Sequence, residues 1–223
     1  MKNFPILLVI GVAAPALCVA GADLKTAVQK FAEKSSYSWT AASSGKPEFR
    51  LGPMEGKAEK DGFVYCKFTL GDNPIEMAFK GSKFAIKRGE QWESAEDLAS
   101  NNGAGIARRL KAFKPPAAEA QDLLQKSKEL KVGGDGLYSG DLTAEGVKEL
   151  FSRTRPNAQV SEPKGTVKFW VKERLLIKYE FEVQGKISVN GEENDIQRTT
   201  TVEIKDVDAS KVSVPEEAKT KLS

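Results

Sequence analysis

The sequence predicts an α+β domain, a curved antiparallel sheet wrapped over a set of helices. Three observations carry that expectation. Apolar residues recur at every second position through 48–93 and again through 167–204, with turn residues between the rows. The stretch between these two regions switches to helical spacing. Positions alternating with the later apolar rows are polar (Lys168, Lys172, Lys178, Glu180, Glu182, Gln184), so one sheet face is wet and the other needs cover.

The elements follow in order. Leu24, Val28 and Phe31 stand at i, i+4 and i+7, with Lys25, Lys30 and Glu33 off that line, which predicts an amphipathic first helix. Ser35–Ala42 alternates through Tyr37 and Trp39, aromatic residues that favour a strand. Phe49 and Leu51 alternate before a turn at Gly52-Pro53, and Asp61-Gly62 is a hairpin dipeptide. Val64, Cys66, Phe68 and Leu70 share a face. Ile75, Met77 and Phe79 form the next row, then Phe84 with Ile86, then a short strand holding Trp92. Turns at Asp72-Asn73-Pro74, Gly81-Ser82 and Gly89-Glu90 separate them. Strands joined by such tight turns pair antiparallel, as a meander.

Ser94 with Asp97 three residues on predicts a helix cap. Asn101-Asn102-Gly103 interrupts, and Ile106, Leu110 and Phe113 recur at helical spacing until Pro115-Pro116. A further helix is expected over Ala117–Leu130. A short strand follows at Leu137–Leu142, and Val147, Leu150 and Phe151 mark another helix. Val167, Phe169 and Val171 alternate. So do Leu175, Ile177, Tyr179, Phe181 and Val183, then Ile187 with Val189, and Thr200, Val202 and Ile204. Polar turns are expected at Glu173-Arg174 and Asn190–Asp195. No linker splits residues 23–223, which read as a single domain. The same periodicity would arise from a solid core and from an enclosed ligand space.

Residues 1–22 read as a signal peptide. Met1-Lys2 supplies the positive start, 3–21 is uncharged, and Ala20-Gly21-Ala22 or Cys18-Val19-Ala20 suits signal peptidase. The mature chain is expected to begin at Gly21 or Asp23, in the periplasm or outside the cell. A retained anchor needs roughly 20 apolar residues, and Pro5, Pro15 and the small-residue exit fit cleavage better. Lipid attachment at Cys18 would need a small residue before it, where Leu17 stands.

Composition excludes several function classes. Basic and acidic residues number 34 and 31, too even a balance for a nucleic-acid partner. Cleavage leaves Cys66 alone, without an intrachain disulfide partner, in a pattern where a Cys acts as a small hydrophobe. There is no histidine, which removes the commonest general base and zinc ligand. Gly133-Gly134-Asp135-Gly136 lacks phosphate-loop spacing and reads as a turn. Glu192-Glu193-Asn194-Asp195 lacks the spacing of a calcium loop. No catalytic residue, metal or cofactor is expected.

The segments 164–171 and 175–185 resemble the paired strands of the LolA/LppX-like lipoprotein and lipid carriers. Residues 198–207 and 212–218 resemble that family's closing strand and tail, with 56–79 and 137–147 in matching order. The resemblance implies an unclosed half-barrel whose concave apolar face is covered by helices and holds acyl chains. It implies a lipid or lipidated protein as partner, with transient membrane contact. The rows Val64, Cys66 and Phe68, then Ile75, Met77 and Phe79, then Val167 and Phe169 would face one apolar space. Phe84 and Phe181 would add to it, and Ile106, Leu110 and Phe113 would roof it.

Arg108, Arg109, Lys111 and Lys114 form either a contact for anionic headgroups or a solvated helix face. The expected function is a non-enzymatic envelope carrier. The alternative is an interaction or sensor module on the same scaffold with a filled core. A hydrolase lacks a nucleophile–base set.

Overall fold

A computed structural model describes residues 17–46, 52–101, 103–154, 159–189 and 192–223. The signal-peptide cleavage positions lie outside the residues whose side chains are described, as do Phe49 and Leu51. Among the described residues the chain forms one open eleven-stranded sheet with six helices. The antiparallel α+β class is the one the alternating rows imply, and the open sheet agrees with the unclosed half-barrel that the resemblance implies.

The sheet is two meanders joined through the first strand of one and the last strand of the other. The first runs β1 (Ser36–Lys46), β2 (Met54–Glu59), β3 (Phe63–Leu70), β4 (Asn73–Lys80), β5 (Lys83–Arg88) and β6 (Gln91–Ser94). The second runs β7 (Ser127–Val132), β8 (Leu137–Leu142), β9 (Val160–Lys172), β10 (Leu175–Val189) and β11 (Glu192–Lys205). Antiparallel pairing of β1 with β11, with Trp39 opposite Ile204 and Ala41 opposite Val202, fuses them into the order β6-β5-β4-β3-β2-β1-β11-β10-β9-β8-β7. β6 and β7 are left as the two edges.

Turn chemistry fixes the registers. Gly81, at φ 59°, takes the left-handed conformation that the β4–β5 hairpin requires. Glu173 and Arg174 both take positive φ, 52° and 63°, as a two-residue I′-type hairpin demands.

Helices α1 (Leu17–Ala32), α2 (Ala95–Ser100), α3 (Ala104–Lys111), α4 (Pro116–Lys126) and α5 (Ala144–Thr154) cover one face. Leu24, Val28, Phe31, Leu98, Leu123, Val147 and Phe151 from these helices share one core with the sheet's inward rows. Ser94 caps α2 in a closed capping box with Asp97. α6 (Glu216–Lys221) lies on the other face. There Ala218, Leu222 and Val214 pack against Trp92, Ala78 and Ala85. That face is wet over β9–β11, where Lys168 pairs with Glu180 at 3.0 Å, but not over β4–β6.

Three local expectations are corrected. The helix expected over Ala117–Leu130 ends at Lys126, and Ser127–Val132 is edge strand β7, paired with β8 through a bulge. Its polar sequence carries no strand alternation, so only the open edge of β8 selects the conformation. Ile177 was expected on the apolar face with Tyr179. A register shift between Leu176 and Lys178 instead buries Leu176 and exposes Ile177. Leu70, at the end of β3, is also exposed rather than inward.

Candidate functional site

The strands in the middle of the sheet carry small side chains where their neighbours carry large ones. The second half of β1 reads Ala41-Ala42-Ser43-Ser44-Gly45-Lys46. Its inward residues stand across from those of β11, and these in turn stand across from β10. Three transverse rows result: Ala41–Val202–Tyr179, Ser43–Thr200–Phe181 and Gly45–Arg198–Val183. The Ser43 and Thr200 hydroxyls are 3.0 Å apart and satisfy each other. On the β1 side of this floor Ala41 and Ser43 bring little volume beneath the helices. A cavity of about 260 Å³ remains, slightly below the usual range of roughly 300–1,000 Å³ for small-molecule sites.

One wall is Trp39 with Met54 of β2. The indole lies directly over Gly56, where any Cβ would collide with the ring, so glycine is what lets Trp39 lie flat. Phe31, Tyr37 and Trp39 form an aromatic line, with ring centroids 4.7 and 5.8 Å apart. The Ala117 amide donates to the Tyr37 hydroxyl at 3.3 Å, tying the start of α4 to β1. Burial pushes the Tyr37 phenol up to about 12, offset in part by that amide. The roof is Leu110 of α3, then Phe113 and Pro116, with Leu150 of α5.

The remaining lining is charged. Arg109, Lys114, Arg153 and Arg198 contribute four cations and Glu119 one carboxylate. The Tyr179 hydroxyl donates to Glu119 Oε2 at 2.7 Å. Burial raises the Glu119 carboxyl above its ordinary range, against the Tyr179 hydrogen bond and the fields of Arg153 and Arg198. Behind it, Asp122 accepts from Lys114 Nζ at 2.5 Å, Lys126 Nζ at 2.7 Å and Arg153 Nη2 at 2.6 Å. Burial alone would raise Asp122, but the three cations override it and hold the carboxyl at about 2. This network locks α4, α5 and the loop before α4 into one rigid roof. Among the described residues no cluster of side chains is arranged to hold a metal.

Of the residues expected to face a ligand, Leu110, Phe113 and Phe181 line this cavity. Cys66, Ile75, Met77, Phe79, Phe84, Val167 and Phe169 are buried in the continuous core beside it, and Val64, Phe68 and Ile106 are half-buried against that core. Phe79 stacks on Phe113 at 4.7 Å and meets Phe84 at 6.4 Å, closing the space above β4 and β5. The thiol of Cys66 is pushed well up by burial alone, consistent with a small packed hydrophobe.

Sequence reasoning missed Trp39, Ala41, Met54, Glu119, Arg153 and Arg198. Two signals could have found part of the set. One is the small-residue run in β1. The other is Arg198, which falls in step with Ile196, Thr200, Val202 and Ile204 and so points a guanidinium at the apolar face.

No protein-family model matches the chain, and no curated protein matches it. Among solved structures, LprF from Mycobacterium bovis aligns over 90% of this chain and 98% of its own, at 10% identity and a TM-score of 0.49. The structure of EF1p2_mFAP2b bound to DFHBI aligns over 81% of this chain and 98% of its own, at 9% identity and a TM-score of 0.23.

Proposed function

We propose that this protein is a non-enzymatic carrier in the cell envelope that binds an acyl chain of a lipid or lipidated protein between sheet and helices. The observation that supports the proposal is the cavity itself: Ala41, Ser43, Thr200 and Phe181 beneath a roof of Leu110, Phe113 and Leu150. An acyl chain there gains about 0.8 kcal/mol per buried CH₂ and needs no acid, base or metal from the protein. Envelope location rests on the signal-peptide pattern of residues 1–22. Among the described residues no helix is long and apolar enough to cross a membrane.

The test is lipid extraction and mass spectrometry on protein purified from an envelope fraction without detergent. The carrier reading expects near-stoichiometric acyl lipid, lost in Ala41→Phe, whose ring would occupy the cavity in place of the chain. A folded wild-type protein carrying no lipid, and taking none up from vesicles, would contradict it. The second reading, a filled-core interaction module, draws on the close stacking of Phe79 with Phe113. It expects that lipid-free outcome.

A further inference from the structure

Resting on the carrier reading for its purpose, we infer that the exposed edge of α3 and the tip of the β3–β4 hairpin form a docking surface for an anionic lipid bilayer, and that docking turns the cavity mouth toward the membrane. The place of the mouth comes first. Arg109 lines the cavity and is itself exposed, so the cavity opens beside α3. Gly52 lines it from the strand side, and its amide donates to the Thr69 carbonyl at 2.8 Å. That bond brings the end of β3 to the same rim, where the next residue is the exposed Leu70.

Charge then selects the partner. Arg108, Arg109 and Lys111 are exposed in the last turn of α3, and its first turn holds no acid. Among the described residues none of the three makes an ion pair. The acids of the neighbouring elements are engaged elsewhere. Glu93 holds Arg88 at 2.8 Å, and Asp97 holds Lys221 at 2.7 Å while capping α2. Glu96 of α2 lies in the field of Lys83. Asp72, exposed at the hairpin tip, offsets one of the three cations, so the rim stays positive.

Two properties favour a bilayer over an acidic protein. Leu70 beside the cations supplies an apolar tip, which the boundary between headgroups and acyl chains accepts and a solvated acidic surface does not. The rim also borders the opening through which an acyl chain has to pass. With the mouth against the bilayer, the chain moves between two apolar environments without exposing its CH₂ groups to water. Lys and Arg near an anionic leaflet each raise affinity about fivefold, and salt weakens the attraction.

The experiment uses the full mature chain and two kinds of vesicle, phosphatidylcholine alone and an equal mixture of phosphatidylcholine with phosphatidylglycerol. Co-sedimentation at low and at physiological salt reads docking. The fluorescence of cis-parinaric acid reads acyl binding in vesicle-free solution. At low salt the anionic vesicles are expected to bind at least about tenfold more tightly than the neutral ones, and the difference should shrink as salt rises. Arg108→Gln combined with Lys111→Gln, at two exposed positions off the cavity lining, should cost about tenfold or more of that binding and leave parinaric acid affinity unchanged. Leu70→Ser should weaken docking by a smaller factor. Equal binding to both vesicles, or anionic binding unchanged in the double variant, would overturn the docking surface and leave the carrier reading standing. A protein that ignores both vesicles yet binds parinaric acid would also overturn it, and would leave the rim to an acidic protein partner. Docking on anionic vesicles without any acyl binding would instead remove the carrier reading and keep the surface.

Discussion

The inward face of this sheet is filled at one end and hollow in the middle, although the strands of both parts follow the same alternation. Over β4 and β5 the inward residues are Ile75, Met77, Phe79, Phe84 and Ile86, all buried in the core. Over the second half of β1 and the part of β11 across from it, Ala41, Ser43, Gly45 and Thr200 are small, between Trp39 with Ile204 on one side and Arg198 on the other. One residue of the roof, Phe113, serves both regions: it stacks on Phe79 and lines the cavity. Large side chains therefore meet it, as Phe79 meets Phe113 at 4.7 Å, while small ones leave space. Periodicity decides which face a residue takes, and volume decides whether that face is core or cavity.

The largest expected effect contrasts two phenylalanines. Phe169, fully buried on the filled part of β9, should cost about 3–5 kcal/mol when changed to Ala. Phe181→Ala, at the cavity edge, should cost less than half of that, because part of its surface already lacks neighbours. Chemical denaturation of both variants, with lipid content measured in parallel, checks the contrast. Equal losses would mean that the cavity is closed in solution.

Next comes acid stability of the roof. Asp122 titrates at about 2 against an ordinary 3.8, so its contribution is fully present above about pH 4 and lost as pH falls through about 2. The shift corresponds to about 2 kcal/mol. Asp122→Asn should remove that part of the acid-unfolding profile and, at neutral pH, loosen lipid retention more than it changes the filled region. Amide hydrogen exchange in α4 compared with β4 reads the difference.

Glu119→Gln is expected to act in the opposite direction and more weakly. A carboxyl raised by burial contributes stability below its unfolded value that is lost as pH rises toward its folded value. The amide variant still accepts from the Tyr179 hydroxyl, so it should match wild type near about pH 4 and exceed it slightly at neutral pH. A clear loss at neutral pH would show that ionised Glu119 is needed as the partner of Arg153 and Arg198.

The smallest effect belongs to the wet face. Lys168→Ala removes the exposed pair with Glu180 and should change stability by about 0.5 kcal/mol or less, with lipid content unchanged. A larger change would mean that this face also carries a partner.

The sequence made the faces legible because burial writes a period of two into Val64–Phe68, Ile75–Phe79 and Val167–Val171. It was silent where conformation is selected from outside. Polar β7 exists only because β8 offers an edge. Ile177 is turned outward by a bulge that no local residue announces, and α6 finds its place on Trp92 from the far end of the chain. The cavity was half-legible. Its roof stood out at Leu110 and Phe113, while its floor hid in Ala41–Gly45, residues usually passed over as unremarkable strand.

The most direct test of the hollow centre uses Trp39 as the reporter. It lines the cavity, whereas Trp92 is buried beneath α6 and Trp170 lies beside Lys178 on the outer face. In a Trp92→Phe, Trp170→Phe protein, a dibrominated acyl chain is expected to quench Trp39 fluorescence saturably, with one chain bound per protein. Quenching that is absent, or no stronger than in a protein retaining only Trp92, would contradict an acyl-binding cavity between sheet and helices.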